Sequence, residues 1–273
     1  NIKKYDLVNL SSVFFPWTWF AALLCVFYRV PFSIAPRGEL EPGAYCFGKK
    51  RKDIINRLFL KRLMSKASFV LVTSEQELEH SRPYFSKDMT FETIPNYINI
   101  EGEAPRPEVI QKRRNILYLG RIHPKKGIEN LISAFELLGG DTLANHQLLI
   151  AGTGDKSYVD TLKKIAVRSS RSEAIKFLGH CVGKEKEKTY KMAKVMVLPS
   201  YSENFGNVVL EALTFATPVI ASRNTPWAEL EKARCGMWVM NDPQSLARAL
   251  ETIFSLDEEH YITMAKAGRF FVE

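Results

Sequence analysis

Apolar and polar positions alternate along the chain in blocks, with short apolar runs separated by longer stretches in which apolar residues recur every three or four positions. The short runs are typical of buried strands and the longer stretches of amphipathic helices. Over residues 1–98 this pattern predicts helices at 16–28, at 50–66 and from Ser74 onward, and strands at 5–10, 32–35, 69–72 and 91–94. Strands alternating with helices indicate an α/β fold with parallel sheets.

Residues 99–114 differ in composition, because they hold two prolines, a glycine and seven charged residues. Such a stretch is typical of a linker between domains. The alternation then resumes, with strands predicted at 115–119, 147–151, 175–177, 195–198, 218–221 and 237–240, and helices at 127–138, 157–168, 184–193, 206–215 and 243–255. The sequence therefore predicts two domains, at 1–98 and 115–273, joined by a linker at 99–114.

Composition adds few constraints to this picture. The net charge of +8 favours acidic partners, namely nucleic acid, phosphate-bearing ligands or an anionic membrane. Cys25, Cys46, Cys181 and Cys235 show neither a C-x-x-C pair nor zinc-ligand spacing, which predicts free thiols and no metal site. The longest apolar run, at 14–28, is shorter than the roughly 20 residues that span a bilayer.

Candidate chemistry lies in the turns that follow predicted strands of the second domain, where ligands of open parallel sheets bind. The turn at 120–127 carries Arg121, Lys125 and Lys126 just before a helix. Cations together with the free amides of a helix N-terminus suit a diphosphate, although a solvated basic loop has the same composition. The turn at 151–155 has small residues that permit close approach of a ligand or simply form a tight turn.

A third turn, at 199–212, contains two glutamates eight positions apart, Glu203 in the loop and Glu211 in the predicted helix. A carboxylate accepts hydrogen bonds from adjacent hydroxyls, which a sugar or ribose supplies. The amides of Phe205, Gly206 and Asn207 are unpaired donors at the helix start. A helix cap and a solvated glutamate are the alternative, which fits poorly because apolar residues flank Glu211.

Segment 199–222 closely resembles the signature of retaining glycosyltransferase family 4, the group 1 glycosyltransferases, with its Glu-x7-Glu motif. The turn at 120–127 is similar to the phosphate loop of that family. Segments 94–96 and 235–242 also stand where the family has similar sequences, so four matches occur in order over roughly residues 69–255. The resemblance implies the GT-B fold, in which two Rossmann-like domains carry parallel sheets.

The resemblance also implies a reaction and the residues that perform it. A sugar would pass from a UDP- or GDP-sugar to an acceptor with retention of configuration, without a metal or other cofactor. Separate groups of residues would bind the diphosphate, the donor sugar, the ribose and the base. The group at the diphosphate would also stabilise the charge that develops as it leaves. Those implied as catalytic are Arg121, Lys126 and Glu203, and those implied in donor binding are Gly120, Gly179, Val182, Asn204, Phe205, Gly206, Asn207 and Glu211.

The sequence departs from the family in its first half. The strand and glycine-rich loop that open the family's first domain have no counterpart, which predicts an incomplete first domain, with roughly 70 or more residues upstream. Many relatives carry a histidine near the transferred sugar. The matching turn here, at 36–39, has no histidine, and His80 falls on a predicted helix. Arg37 and Glu39 are therefore the acceptor-side candidates, against a role as ordinary turn residues.

The predicted function is sugar transfer to a saccharide or lipid-linked acceptor in bacterial surface polysaccharide biosynthesis, such as that of lipopolysaccharide, capsule or exopolysaccharide. Eight cations and one aspartate at 49–66, with Trp17, Trp19 and Phe20 upstream, favour a cytoplasmic protein held peripherally on the anionic inner face of the plasma membrane. A solvated helix face is the alternative for these cations. Competing functions are a non-catalytic nucleotide-sugar-binding module and a nucleic-acid-binding protein, and no recognisable motif supports the latter.

Overall fold

The chain folds into two α/β units with parallel sheets, which confirms the predicted fold class. The computed structural model describes residues 2–45, 49–55, 61–100, 103–139 and 146–273. The first unit comprises Asn1–Asn96 together with Ser202–Phe205, and the second comprises Tyr97–Tyr201 and Gly206–Glu273. Along the described residues no helix is both long enough and apolar enough to cross a bilayer.

The first unit has a parallel sheet in which sequence neighbours pair in order, β1-β2-β3-β4. Its core lies between this sheet and the helices, and includes Ile34, Val70 and Val72, which are fully buried. The strands are β1 (Val8–Ser11), β2 (Phe32–Ala35), β3 (Phe69–Val72) and β4 (Phe91–Thr93), and the helices are α1 (Pro16–Tyr28), α2 (Pro42–Tyr45), α3 (Lys49–Ile55), α4 (Lys61–Met64) and α5 (Glu75–Ser81).

Two predicted elements of this unit differ from the structure. The strand predicted at 5–10 begins only at Val8, because its partner β2 begins at Phe32 and offers no ladder to earlier residues. The helix predicted at 50–66 is described as α3 and α4, and the intervening residues 56–60 lie outside the described part, as does Cys46. The predicted start at Ser74 is confirmed, since its hydroxyl accepts from the Glu77 amide at 3.1 Å.

The second unit has a doubly wound parallel sheet with the strand order β10-β9-β8-β5-β6-β7. Its strands are β5 (Asn115–Leu119), β6 (Leu148–Ala151), β7 (Ile175–Gly179), β8 (Ala193–Leu198), β9 (Val219–Ser222) and β10 (Gly236–Val239). The helices between or after them are α6 (Pro107–Ile110), α7 (Ile128–Leu137), α8 (Lys156–Arg168), α9 (Gly183–Met192), α10 (Asn207–Thr214), α11 (Glu229–Lys232), α12 (Pro243–Ser255) and α13 (Glu258–Val272).

The strand order determines where this unit can bind a ligand. From β5 the chain winds outward through β6 and β7, and it then returns to β8 on the other side of β5. The strands β6, β8 and β9 are buried almost throughout, as expected where helices cover both faces of a parallel sheet. The reversal of winding between β5 and β8 opens a crevice at the carboxyl ends of these strands.

The predicted linker and the C-terminus pack onto the second unit more than the sequence pattern suggests. The helix α6 lies inside the stretch predicted as a linker, and its Ile110 is fully buried in the core of this unit. The 15-residue helix α13, for which no prediction was made, packs against α6 and α10. Both elements approach α10, whose first turn lies at the crevice.

Two buried arginines bind the C-terminal end of α10. Arg113 donates to the carbonyl oxygens of Phe215 (2.8 Å) and Ala216 (2.7 Å), and Arg269 donates to that of Thr214 (2.8 Å). The last carbonyls of a helix lack partners within the helix and carry partial negative charge. The two guanidinium groups supply these carbonyls with hydrogen-bond donors and with positive charge. They therefore hold α10 at its C-terminal end.

We expect Arg113→Ala to lower the free energy of unfolding by about 2–4 kcal/mol, because it leaves buried carbonyl groups without donors. Denaturant unfolding checks this value. Arg114→Ala is the matched control, since Arg114 is exposed, and it should change stability by no more than about 0.5 kcal/mol. Equal effects of the two substitutions would show that Arg113 does not hold α10.

Candidate functional site

A cleft of about 840 Å³ lies at the carboxyl ends of β5, β6 and β7 in the second unit. Three strand-to-helix turns line it, at 119–123, 151–155 and 180–183, together with Lys186 of α9 and Val208 of α10. The first two are turns that the sequence singles out, whereas of the third the resemblance names only Val182 and the preceding Gly179, and the predicted turn at 199–212 contributes only Val208. The cleft is therefore made mainly of turn backbone, with a few side chains placed around it.

The turns after β5 and β6 pack backbone against backbone. The amide of Ile122 donates to Thr153 O at 2.8 Å, and the amide of Gly120 donates to Ala151 O at 3.0 Å. A Cβ atom at Gly152 would lie 1.8 Å from Gly120 O, and one at Gly154 would lie 1.9 Å from Ile122 O. Both positions therefore require glycine, and the close packing exposes peptide groups along the cleft.

Positive charge is concentrated on the first turn. Arg121 is exposed, and Lys125 and Lys126 follow it in a 3-10 helix over Pro124–Lys126. The Nδ1 atom of His123 accepts a hydrogen bond from the Lys125 amide at 3.2 Å and caps this helix. Burial lowers the pKa of His123, and the three neighbouring cations lower it further. The imidazole is therefore neutral among cations that suit a phosphate.

Hydrogen bonds link the cationic turn to two further loops. The amide of Tyr201 donates to Lys125 O at 2.8 Å. Gly127 is left-handed (φ +61°), and a Cβ atom there would lie 2.2 Å from Pro199 O. The side-chain amide of Asn130 donates to Asn241 O at 2.9 Å. The loops after β5, β8 and β10 are thus held in one cluster, and the cationic turn cannot move independently of them.

Glu211 lies on α10 and is bound by two side chains of α9. Lys186 Nζ and Tyr190 Oη each lie 2.7 Å from its carboxylate. Burial and the adjacent Glu211 raise the pKa of Tyr190, so its phenol donates the hydrogen bond. Lys186 lines the cleft, whereas Glu211 is not among the described residues that line it.

Three of the predicted site residues of the second unit line this cleft, and the others lie elsewhere in the unit. Gly120, Arg121 and Val182 line it, and Lys126 lies in the adjoining 3-10 helix. Gly179 ends β7 in a left-handed conformation (φ +73°), and its carbonyl accepts from the Gly152 amide at 2.7 Å. Gly206 caps α10 at φ +81°, and Asn207 is the first residue of the helix.

The remaining predicted residues belong to the first unit. Glu203, Asn204 and Phe205 fall in the segment Ser202–Phe205. Within this unit Asn204 Oδ1 accepts from Thr73 Oγ1 at 3.3 Å. Arg37 is left-handed (φ +53°), and its guanidinium donates to the side-chain oxygen of Asn96 at 3.3 Å.

Glu39 is fully engaged in the turn where β1 and β2 end. Its carboxylate accepts hydrogen bonds from Ser12 Oγ at 2.8 Å, the Val13 amide at 2.6 Å and the Phe14 amide at 3.1 Å. These contacts hold the entry to α1 against the loop after β2. Of the two acceptor-side candidates, Arg37 has the more exposed side chain.

Sequence reasoning missed Lys186, Tyr190 and the capping role of His123. The first two lie four positions apart on a predicted helix and therefore share a face, but nothing in the sequence shows that this face meets Glu211. His123 stands just before a proline, a position that suits a capping residue. Among the described side chains, no group of three or more His, Cys, Asp or Glu residues could hold a metal ion.

Comparisons with known proteins agree with the fold and identify the family. The family model described as "Glycosyl transferases group 1" matches residues 101–270, which is more than half of the chain. The chain therefore belongs to the group 1 glycosyl transferases.

Individual relatives extend the comparison. A D-inositol 3-phosphate glycosyltransferase of Corynebacterium efficiens is 35% identical over 164 residues, covering 58% of this chain and 38% of the relative. The O-antigen chain mannosyltransferase B of Escherichia coli is 32% identical over 114 residues, covering 42% and 30%. The chain thus spans well under two thirds of the length of these curated relatives.

A solved structure matches over almost the whole chain. Anabaena HepE, determined in complex with UDP and glucose, superposes with a TM-score of 0.79 at 20% identity, covering 99% of this chain and 73% of HepE. At this identity the likeness concerns the fold.

We expect Arg121→Ala to raise the pKa of His123 toward its usual 6.5 without reaching it, since burial is the larger cause of the shift. Histidine NMR titration measures this pKa. Because the fold disfavours the protonated imidazole, unfolding takes up a proton as pH falls through 6.5, and stability decreases below that pH. Lys232→Ala, an exposed cation on α11, is the control. An unchanged His123 pKa in Arg121→Ala would contradict this description of the turn.

Proposed function

We propose that the protein transfers a sugar from a UDP- or GDP-sugar to a saccharide or lipid-linked acceptor, with retention of configuration. The observation that carries this proposal is the cleft itself, where glycine-dependent turn backbone lies beside Arg121, Lys125 and Lys126. Peptide amides and fixed cations at the carboxyl edge of a parallel sheet are what a diphosphate requires.

The residues take distinct roles in this proposal. Arg121 and Lys126 bind the diphosphate and stabilise the charge that develops as it leaves, a task that needs no metal when fixed cations perform it. Glu211 binds ribose hydroxyls, and the segment 179–182 lies near the base. Glu203 and the backbone of 204–207 hold the donor sugar, and Arg37 acts on the acceptor side.

In a single displacement, retention requires attack on the face that the leaving group occupies. The acceptor oxygen forms a bond to the anomeric carbon while the bond from that carbon to the phosphate oxygen breaks. The departing phosphate takes the acceptor proton, so no protein base is needed. Glu39, the acceptor-side carboxylate candidate, already accepts three hydrogen bonds within its turn, which favours this route over one with Glu39 as the base.

The pathway proposed is biosynthesis of a bacterial surface polysaccharide. Support comes from the E. coli relative named for the O-antigen chain. The relative named for D-inositol 3-phosphate marks a different acceptor class within the same family. HepE was solved with UDP and glucose, which favours a UDP-sugar as the first donor to try.

Nucleotide binding tests the proposal. Calorimetry of this chain should show that UDP, GDP or ADP binds more tightly than the matching nucleoside, because the cationic turn contacts phosphate. Arg121→Ala should weaken binding of the diphosphate by about 1–3 kcal/mol and leave binding of the nucleoside unchanged. Arg168→Ala, an exposed arginine on α8 outside the cleft, should change neither.

Two results would lead to another function. Tighter binding of a short oligonucleotide than of any nucleotide would favour nucleic-acid recognition. The non-catalytic binding module would be favoured if the longest soluble form of the protein binds nucleotide but transfers no sugar to any lipid or saccharide acceptor.

We also propose that the protein is cytoplasmic and contacts an anionic membrane surface through the first unit. The helix α1 exposes Trp17, Phe20, Leu23 and Phe27, with exposed fractions of 69%, 54%, 45% and 76%. Cations lie next to this helix, since Lys3 Nζ is 4.9 Å from the centre of the Tyr28 ring and α4, which carries Lys61 and Arg62, packs against α1. An apolar face edged with cations suits an anionic bilayer.

Vesicle co-sedimentation checks the membrane proposal. The chain should bind phosphatidylglycerol-containing vesicles more than pure phosphatidylcholine vesicles, and Trp17→Ala with Phe27→Ala should reduce that binding several-fold. Phe270→Ala, which removes an aromatic side chain 81% exposed on α13, is the matched control. If the chain binds both kinds of vesicle equally, the α1 face does not recognise an anionic membrane. If the double substitution abolishes self-association of the chain and leaves vesicle binding unchanged, the occupant of the α1 face is a second copy of the chain. Trp19 is not varied, since its indole N–H donates to Val13 O at 2.7 Å and the side chain is half-buried.

A further inference from the structure

Lys186 has not entered the proposed function, although it occupies a prominent place in the cleft. It projects from α9, in the turn of helix that follows the segment 180–183, and it lines the cleft together with Val182, Gly183 and Val208. Its side chain is 31% exposed, so the ammonium group is accessible to a ligand.

The ammonium group of Lys186 is already oriented by its ion pair. Lys186 Nζ lies 2.7 Å from the carboxylate of Glu211, and the Tyr190 hydroxyl donates to Glu211 Oε2 at the same distance. Lys186 and Tyr190 stand one turn apart on α9, so a single helix face holds the carboxylate from two directions.

The hydrogen-bonding capacity of the pair exceeds what it uses. An ammonium group has three N–H donors and a carboxylate has about four acceptor positions. Lys186 Nζ lies 2.7 Å from both oxygens of Glu211 and Tyr190 donates to Oε2, so at most two donors of the ammonium group and three of the acceptor positions are used. Donors and acceptors therefore remain side by side, an arrangement that matches a pair of adjacent hydroxyl groups, each of which can donate and accept.

We infer that Lys186 is a further donor-binding residue, which holds the Glu211 carboxylate in place and donates to the ribose hydroxyls of the nucleotide. This inference rests on the proposed function and adds a residue and a specificity to it. A site that binds both hydroxyls leaves a polar group without its partner when one hydroxyl is missing, so it discriminates against 2′-deoxyribose. A salt bridge that merely joins α9 to α10 would give no such discrimination.

The test compares each ribonucleotide with its 2′-deoxy form. Dissociation constants of UDP, GDP and ADP, and of dUDP, dGDP and dADP, are measured by calorimetry for the wild-type chain, Lys186→Met and Lys188→Met. Lys188 is an exposed cation on the same helix, so its substitution removes equal charge away from the cleft. Thermal unfolding of each variant reports stability separately.

For the tightest nucleotide, the wild-type chain should bind the ribose form roughly tenfold more tightly than the deoxy form, the scale of one charge-assisted hydrogen bond. Lys186→Met should bring this ratio close to one, and Lys188→Met should keep it. A wild-type ratio near one overturns the inference even if Lys186→Met does not fold. An unchanged ratio in a folded Lys186→Met variant also overturns it, while the proposed function stands. Failure of the wild-type chain to bind any of the nucleotides overturns both.

Discussion

The close approach of the turns after β5 and β6 is the constraint on which the rest of the site depends. Gly152 and Gly154 allow these turns to meet with no side chain between them, since a Cβ atom at either position would overlap a carbonyl oxygen of the neighbouring turn. Parallel pairing therefore continues past the ends of the strands, with a bridge between Ile122 and Gly154. The cleft is built from peptide groups, whose dipoles and donors are fixed by the fold.

This backbone arrangement explains how the cations can be kept together. Three like charges on one short turn repel each other, and the turn is held against that repulsion by the His123 cap, by the bond from Tyr201 to Lys125 O and by the packing at Gly127. Burial, and after it the same three cations, lower the pKa of His123, so a fourth positive charge is disfavoured there. A site preorganised in this way need not reorganise when an anion arrives.

Much of the fold could be predicted from the sequence, because apolar runs such as those of β6 and β8 are long enough to identify strands buried on both faces. The turns after β5 and β6, which line the cleft, could also be placed, since they follow predicted strands. The start of β1 could not be predicted, because it depends on where the partner β2 begins. The packing of residues 103–114 onto the second unit could not be predicted either, because it depends on only two buried side chains, those of Ile110 and Arg113.

The contacts of individual side chains were the least predictable part of the site. The sequence placed Glu211 in an apolar helix but could not show which groups balance its charge. The structure supplies them from α9, and it supplies the opposite end of α10 with Arg113 and Arg269. A half-buried carboxylate and the last carbonyls of a helix both need donors to replace the water that burial removes. The same helix thus receives donors from two distant parts of the chain, one set at the Glu211 carboxylate and the other at its C-terminal carbonyls, and only the motif between them is visible in the sequence.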